Sequence, residues 1–590
     1  MNSALLVRKF IITLIFLSIC KVALADSATL NNGGTTTSRQ NIDGNGEFLT
    51  VSDNSTLNTG ATKPANVTGD NVDVTVESGS TITSTTVSIF ADNTSDLTVT
   101  NSGTISATGT TAIDVKGTTD ATIVNNSGGK ISSNTNTIRI SKTGSNNTTG
   151  LTITNSGTIT TTTKSAIFGT GANNTATITN KSGGEITNSD SLNATIRVGA
   201  SSTIVNSGTI KNNVSDDAIK LYGNNATITL KDGGIVVGKI DALSRTGSTL
   251  KFNHGFGQGY FYETEGDFTL EDLDGNQVVK GSAGSVGQGG SETLDELLGY
   301  KSLNIRKSLN RYKKSKSFIE GKDSWGEAYV SNLKRKENNN NLAIGYDHKT
   351  FGINLINPLQ SSHFMLSLEH SKQDLLQDHS ITRYGLLTGL YFPQLKNLGK
   401  FETENFVSAG ITLNDSERTI LTNTTTSGIL NVTDTYETYE VIAGKKFKYF
   451  DNLSNINLIP DIGITVGYSL TPSHSESKYF IWDKKHVANL TASLSDEYSI
   501  QISENTNLSA GWIGDFRRLI TEQKQKYEIN NTKATFSPGN ELKNEITLAG
   551  NIGLKYNFSK HGLISFNLDG SHSTQDTNNI AGYIAMKFKF

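Results

Sequence analysis

Catalysis by a Ser-His-Asp triad needs a histidine base. Between residues 26 and 253 there is no histidine, and the first one after them is His254. The same stretch has no Gly-x-Ser-x-Gly nucleophile motif. The single cysteine, Cys20, excludes a disulfide framework, a CxxC centre and a cysteine zinc site. Clusters of His or Cys with metal-ligand spacing are equally missing. No Gly-Lys-Ser/Thr closes the glycine-rich stretch Gly281–Gly290, so nucleotide binding has little support. One acidic pair remains, Asp216-Asp217. It reads either as half of the carboxylate set used by polysaccharide-cleaving β-helices or as a solvated corner. The reading is a protein with no catalytic residues, no cofactor and no metal. The 590 residues carry 52 bases against 55 acids, a net charge of −3. That balance gives no basic field for nucleic acid.

The elements that would carry any function fall into two regions of different chemistry. Residues 1–25 read as a secretory signal peptide: Arg8 and Lys9, an apolar core from Phe10 to Ile19, then Ala23-Leu24-Ala25. Cleavage is expected between Ala25 and Asp26. From 26 to 250 the only aromatics are Phe48, Phe90, Phe168 and Tyr222. All three tryptophans and 17 of the 18 tyrosines lie beyond 259. Ser, Thr and Asn fill 26 of the 50 positions in 101–150, a composition that suggests disorder until its periodicity is seen. Asn101-Ser102-Gly103-Thr104-Ile105 returns in variant form at Asn126, Asn155, Asn180 and Asn206. The starts lie 25, 29, 25 and 26 residues apart, with short alternating strands such as Leu151-Thr152-Ile153-Thr154 before them. That is a solenoid signature: Ile and Val inward, Thr outward, Gly at corners, Asn and Ser hydrogen-bonding along the stack. Residues 26–250 are expected to form a β-helix of one coil per ~25 residues.

An aromatic cluster follows in 251–290: Phe252, Phe256, Tyr260, Phe261, Tyr262 and Phe268. It is expected to cap the solenoid's open strand edge, with Gly281–Gly290 as linker. A helix is expected over 291–320, opened by a Thr293-x-x-Glu296 capping box. Leu294, Leu297, Leu298, Ile305, Leu309 and Tyr312 share its apolar spacing. Asp295 and Glu296 stand at its start, and seven bases with no acids fill 301–316, which suits the helix dipole. At ~1.5 Å per residue it is long enough to traverse a barrel. A basic amphipathic helix could equally lie on anionic lipid or nucleic acid.

From Trp325 to Phe590 twelve alternating stretches are separated by polar turns. In Leu542–Phe558 the even positions Ile546, Leu548, Ile552 and Leu554 are apolar, and the odd positions Lys543, Glu545, Thr547 and Asn551 are polar. Glu402 and Glu404 oppose Val407, Ala409 and Ile411 in the same way. Apolar-out, polar-in strands of this length are the transmembrane β-barrel pattern, with a soluble sandwich as the alternative. Strands must close into a ring to cross lipid. The last strand favours the barrel: Ile580, Gly582, Ile584, Met586, Phe588 and Phe590 share one face. Inward Glu327, Glu402, Glu404 and Glu545 could pair with helix cations Arg306, Lys307 and Arg311.

At this point the sequence resembles the classical monomeric autotransporters of type V secretion. The resemblance spans the whole layout: signal peptide, β-helical passenger, linker helix, barrel at 323–590 and terminal Phe590. Within the barrel, Trp325-Gly326-Glu327-Ala328-Tyr329 and Gly345-Tyr346-Asp347-x-x-x-Phe351-Gly352 are similar to the family's opening strands. It implies an all-β protein: a right-handed parallel β-helix, a lumen-threading α-helix and a 12-stranded transmembrane β-barrel, monomeric in the outer membrane. It implies that Ile584, Met586, Phe588 and Phe590 are the signal read by the outer-membrane assembly machinery. The general secretory pathway and outer-membrane lipid would be the other partners. Self-cleaving members use adjacent asparagines in the helix, whereas Asn304 and Asn310 are apart. The expected function is export and cell-surface display of the solenoid for adhesion or surface contact, with a glycan or a host or neighbouring cell as the ligand. The alternative is the same export route carrying a polysaccharide-degrading β-helix enzyme.

Overall fold

The computed structural model describes residues 27–214, 216–287, 290, 293–315, 323–337, 344–393, 401–449, 460–522, 524–537, 543–559 and 562–588. The expected cleavage pair Ala25 and Asp26, and the terminal Phe590, lie outside the described residues. The chain divides into two compact units.

The first unit is a parallel β-solenoid. Its coils each contribute short strands to three sheets of eleven, nine and ten strands, joined in strict order of sequence. The repeat length sets the register. Ile123 pairs with Val99 and Ile153, and Ile178 with Ile153 and Ile204, so the middle coils set a β-branched side chain on the one below. These isoleucines are fully buried. The repeated asparagines point inward too, with one correction: in the second repeat Asn125, not the expected Asn126, holds the inward position, and Asn126 is half-buried. Asn101 Nδ2 donates to Asn125 Oδ1 at 2.7 Å, Asn125 to Asn155 at 2.8 Å, Asn155 to Asn180 at 2.9 Å and Asn180 to Asn206 at 2.9 Å. Each amide thereby satisfies its neighbour in a dry interior. The ladder ends where Val76 and Leu230 occupy the same register position. The corner after each asparagine needs glycine: a Cβ on Gly129 would stand 2.6 Å from the Asn101 carbonyl oxygen of the coil below. Gly128 before it has φ +81°, which favours glycine.

The solenoid runs further than residue 250. Thr264–Glu265 and Thr269–Asp272 extend the parallel ladders, the latter pairing with Thr249–Asn253. Eleven rungs at ~4.8 Å give a stack of roughly 48 Å. Part of the aromatic cluster read as a cap is therefore solenoid interior. Phe252 and Tyr262 are buried and stacked with centroids 5.7 Å apart, where earlier coils hold aliphatic side chains. Phe256, Tyr260 and Phe261 belong to the second unit, and Phe261 joins a cluster with Val286, Phe480, Trp482 and Ile529.

The second unit is a closed antiparallel ring of twelve strands around one helix. The strands are β1 (Ser324–Arg335), β2 (Tyr346–Pro358), β3 (His363–Leu375), β4 (Ser380–Phe392), β5 (Phe401–Thr422) and β6 (Ile429–Tyr449). They continue as β7 (Asp461–Thr471), β8 (Lys485–Ser503), β9 (Thr506–Leu519), β10 (Asn544–Asn557), β11 (Leu563–Ser573) and β12 (Thr577–Phe588). Each pairs with its sequence neighbour, and β1 pairs with β12 from Ser324↔Phe588 to Arg335↔Thr577. Closure leaves no edge. The helix α1 is Leu294–Ser315, 22 residues long, or ~33 Å.

Candidate functional site

The site is the helix and the wall around it. Leu298, Leu309 and Tyr312 pack with Trp325, Ile356, Tyr391, Ile442 and Leu563, which come from five strands of the ring. A helix touching strands on all sides lies in the lumen.

Its charges are matched by the wall. Arg306 Nη1 and Nη2 meet the two oxygens of Asp515 on β9 at 2.9 and 2.5 Å. Arg311 Nε and Nη2 fork onto Glu327 of β1 at 2.7 and 2.9 Å, and Nη1 reaches Asp569 of β11 at 3.3 Å. Lys307 Nζ is 3.2 Å from the same Asp569. Lys301 donates to Glu440 of β6 at 2.6 Å and to Thr412 Oγ1 of β5 at 2.9 Å. Lys313 pairs with Glu404 of β5, and Lys314 with Glu497 of β8 at 3.3 Å. Near the helix start the signs reverse. Arg335 Nη1 donates to Glu296 at 2.6 Å, and Arg517 of β9 pairs with Asp295. Arg311 and Glu327 are almost fully buried, at 5% and 0% side-chain exposure. Removing one partner of such a pair leaves a dry unpaired charge, which costs about 3–5 kcal/mol.

All three expected helix cations, Arg306, Lys307 and Arg311, face wall carboxylates. Of the expected carboxylates, Glu327 takes Arg311 and Glu404 takes Lys313. Glu545 pairs with Arg517, which in turn holds Asp295, so it meets the helix through an intermediary. Glu402 has no ion pair among the described residues: it is half-buried at the second position of β5, before the inward alternation settles at Glu404. The expected capping box differs as well. Thr293 Oγ1 donates to the Gly290 carbonyl at 2.8 Å, while the Glu296 carboxylate is taken by Arg335 and by the Tyr346 hydroxyl at 2.5 Å. The sequence reading missed Asp515, Asp569, Glu440 and Glu497. Strand parity could have found the first two. Asp515 shares its face with Arg517, opposite exposed Trp512 and Phe516, and Asp569 lies opposite exposed Phe566 and Leu568.

The outside of the ring is apolar. Val330, Leu368, Leu548, Ile552, Ile580, Ile584 and Met586 are all exposed, the last two at 55% and 44%. Phe588 ends β12 opposite Ser324. The motif residues of the first two strands interlock: Tyr329 and Gly352 are register partners, and a Cβ on Gly352 would overlap the Tyr329 ring. An apolar outer face over a charged interior is the pattern of a membrane-spanning barrel. No helix among the described residues is long and apolar enough to cross a membrane. The ring has the make-up of a membrane-spanning β-barrel.

In its order along the chain, solenoid then lumen helix then twelve-stranded barrel, the protein has the architecture of a classical autotransporter. No family model and no curated protein matches the sequence. Solved structures similar to this one include the translocator domain of the autotransporter NalP from Neisseria meningitidis, at TM-score 0.33 and 11% identity, covering 50% of this chain and 98% of that one. The β domain of the Bordetella autotransporter BrkA follows at TM-score 0.30 and 9% identity, covering 46% and 100%. The transport unit of AIDA-I from Escherichia coli stands at TM-score 0.29 and 10% identity, covering 46% and 91%. The architectural assignment rests on ring closure, the apolar exterior and the helix, and not on these likenesses.

In the solenoid, Asp216 and Asp217 are both half-buried. Asp217 Oδ2 accepts from Lys220 at 2.6 Å, and Lys220 also meets Asp241 at 2.8 Å. A cation held by two carboxylates keeps its proton more firmly than usual, and the Lys220 pKa is raised.

Proposed function

We propose that this protein is an autotransporter that carries its own β-solenoid across the outer membrane and displays it, uncleaved by any asparagine pair in the helix, as a non-catalytic contact surface. The observation that carries the reading is the helix in the lumen, with both its acidic start and its basic remainder matched around the ring. A segment joined at one end to a solenoid and at the other to the barrel must pass through the lumen during export. Coil-by-coil stacking would let the emerging chain fold vectorially and resist return. The non-catalytic reading is supported by the engagement of Asp217 with Lys220 and by the absence of histidine from 26 to 253. Recognition by the assembly machinery through Ile584, Met586, Phe588 and Phe590 is part of the same proposal.

Because Cys20 is the only cysteine, an introduced thiol is a clean reporter. Leu192 is 89% exposed and Ser565 is buried. Leu192→Cys should react with a membrane-impermeant maleimide on intact cells, and Ser565→Cys should not. Labelling of Leu192→Cys only after lysis would place the solenoid inside and reject the proposal.

A further inference from the structure

The third sheet of the solenoid carries a column unlike the Thr/Asn surface around it. Phe90, Asp114, Arg139, Phe168, Arg197 and Lys220 stand one above the next in register, one coil apart. Most of the column is internally satisfied. Arg139 forks onto buried Asp114, with Nε at 2.9 Å, and Lys220 is held by Asp217 and Asp241. Lys63 covers the Phe90 ring, 2.9 Å from its centroid.

Arg197 differs. Its guanidinium carbon lies 3.3 Å from the Tyr222 ring centroid and 4.7 Å from that of Phe168. It forms no ion pair among the described residues, and its Nε is buried with no hydrogen-bond partner. Burial lowers its pKa, and among its surroundings only Tyr222 acts the other way. Two rings closing the faces of a guanidinium fix its plane, so that only the in-plane N–H donors remain for a ligand. That edge matches two oxygens of a carboxylate or sulfate. One unpaired guanidinium in an otherwise neutralised column is far too sparse for a polyphosphate, which needs several cations in a row. It suits an extended ligand with well-spaced anionic groups and many hydroxyls, which the surrounding Thr and Asn side chains can meet.

We infer that Arg197, clamped between Phe168 and Tyr222, binds the carboxylate or sulfate of an acidic polysaccharide lying along the third sheet of the solenoid. This gives the displayed surface a ligand class and rests on the display reading only for access. Binding by the purified chain needs no export, so the two can fail separately.

The test uses the full-length protein in detergent micelles with polygalacturonate, dextran sulfate and neutral dextran. At least one acidic polymer should bind roughly tenfold or more tightly than dextran, as a charge-assisted fork would give. Whichever acidic polymer binds more tightly identifies the group as carboxylate or sulfate. Arg197→Gln should reduce the preference to about that of dextran at an unchanged melting temperature. Arg197→Lys, which keeps the charge and loses the fork, should retain only a minor part of it and serves if the first variant folds poorly. Acidic polymers binding no better than dextran, or a preference that survives both substitutions, would overturn the inference.

Discussion

The solenoid and the barrel both bury polar groups, and they satisfy them by opposite means. In the solenoid five buried asparagines bond one another from coil to coil, so one neutral group repeated five times needs no charge. In the barrel the lumen holds full charges, and the helix cations are matched to carboxylates spread over β1, β5, β6, β8, β9 and β11. A ladder works wherever the chain returns to the same place every ~25 residues. A lumen has no such repeat, so each helix position needs its own partner. Damage should therefore stay local in the solenoid and be global in the barrel.

The largest effect should come from the lumen. Changing Arg306, Lys307 and Arg311 together to Glu strands several buried carboxylates at about 3–5 kcal/mol each. Summed over Asp515, Asp569 and Glu327, that is about 9–15 kcal/mol, comparable to the whole stability of an ordinary domain, ~5–15 kcal/mol. The folded, heat-modifiable barrel should vanish from membrane fractions. Ile178→Ala in the solenoid should cost about 2–5 kcal/mol. Hydrogen exchange should rise around Ile153 and Ile204 and stay unchanged in the barrel.

His254 gives the solenoid an acid-sensitive point. It is buried against Tyr262, whose hydroxyl lies 3.0 Å from Nε2. Burial pushes its pKa down to about 4. The unfolded chain, near its usual ~6.5, binds the proton first. Stability is therefore fully present above about pH 6.5 and is lost as pH falls towards about 4, by ~1.4 kcal/mol per pH unit at most. Melting of the last coils between pH 7 and pH 4 should follow that slope, and a His254→Gln variant that folds should lose it. Asn155→Ala leaves Asn125 and Asn180 each short of one ladder bond, at about 1–3 kcal/mol, read by urea unfolding. Lys314 is the smallest case, its side chain 36% exposed beside Glu497. Lys314→Ala should shift barrel melting by less than ~1 kcal/mol.

Much of the fold was legible because both regions advertise a period. The Asn-Ser-Gly repeat set the coils, and the alternation in Leu542–Phe558 set the barrel face. The end of the solenoid was not legible, since Phe252 and Tyr262 fill a coil interior with rings where the repeat uses isoleucine, and the period is masked. The lumen partners were half legible. Strand parity says that Glu327 and Glu404 point inward, but which cation each meets depends on helix rotation within the ring. Glu402 shows the limit: it has the right parity at a strand end where the alternation has not begun. The open Arg197 was out of reach, because no strand pattern says which cation in a column lacks a carboxylate.

The claim that the helix is held in the lumen by matched charges is tested most directly by exchanging one pair. Arg306 and Asp515 form a two-pronged contact with side chains 11% and 9% exposed. Detergent melting of four proteins closes the cycle: wild type, Arg306→Asp, Asp515→Arg and the double exchange. Each single variant should melt well below wild type, and the double exchange should recover at least half of the loss. Single variants that melt like wild type, or a double exchange whose loss is the sum of the two, would place the helix elsewhere.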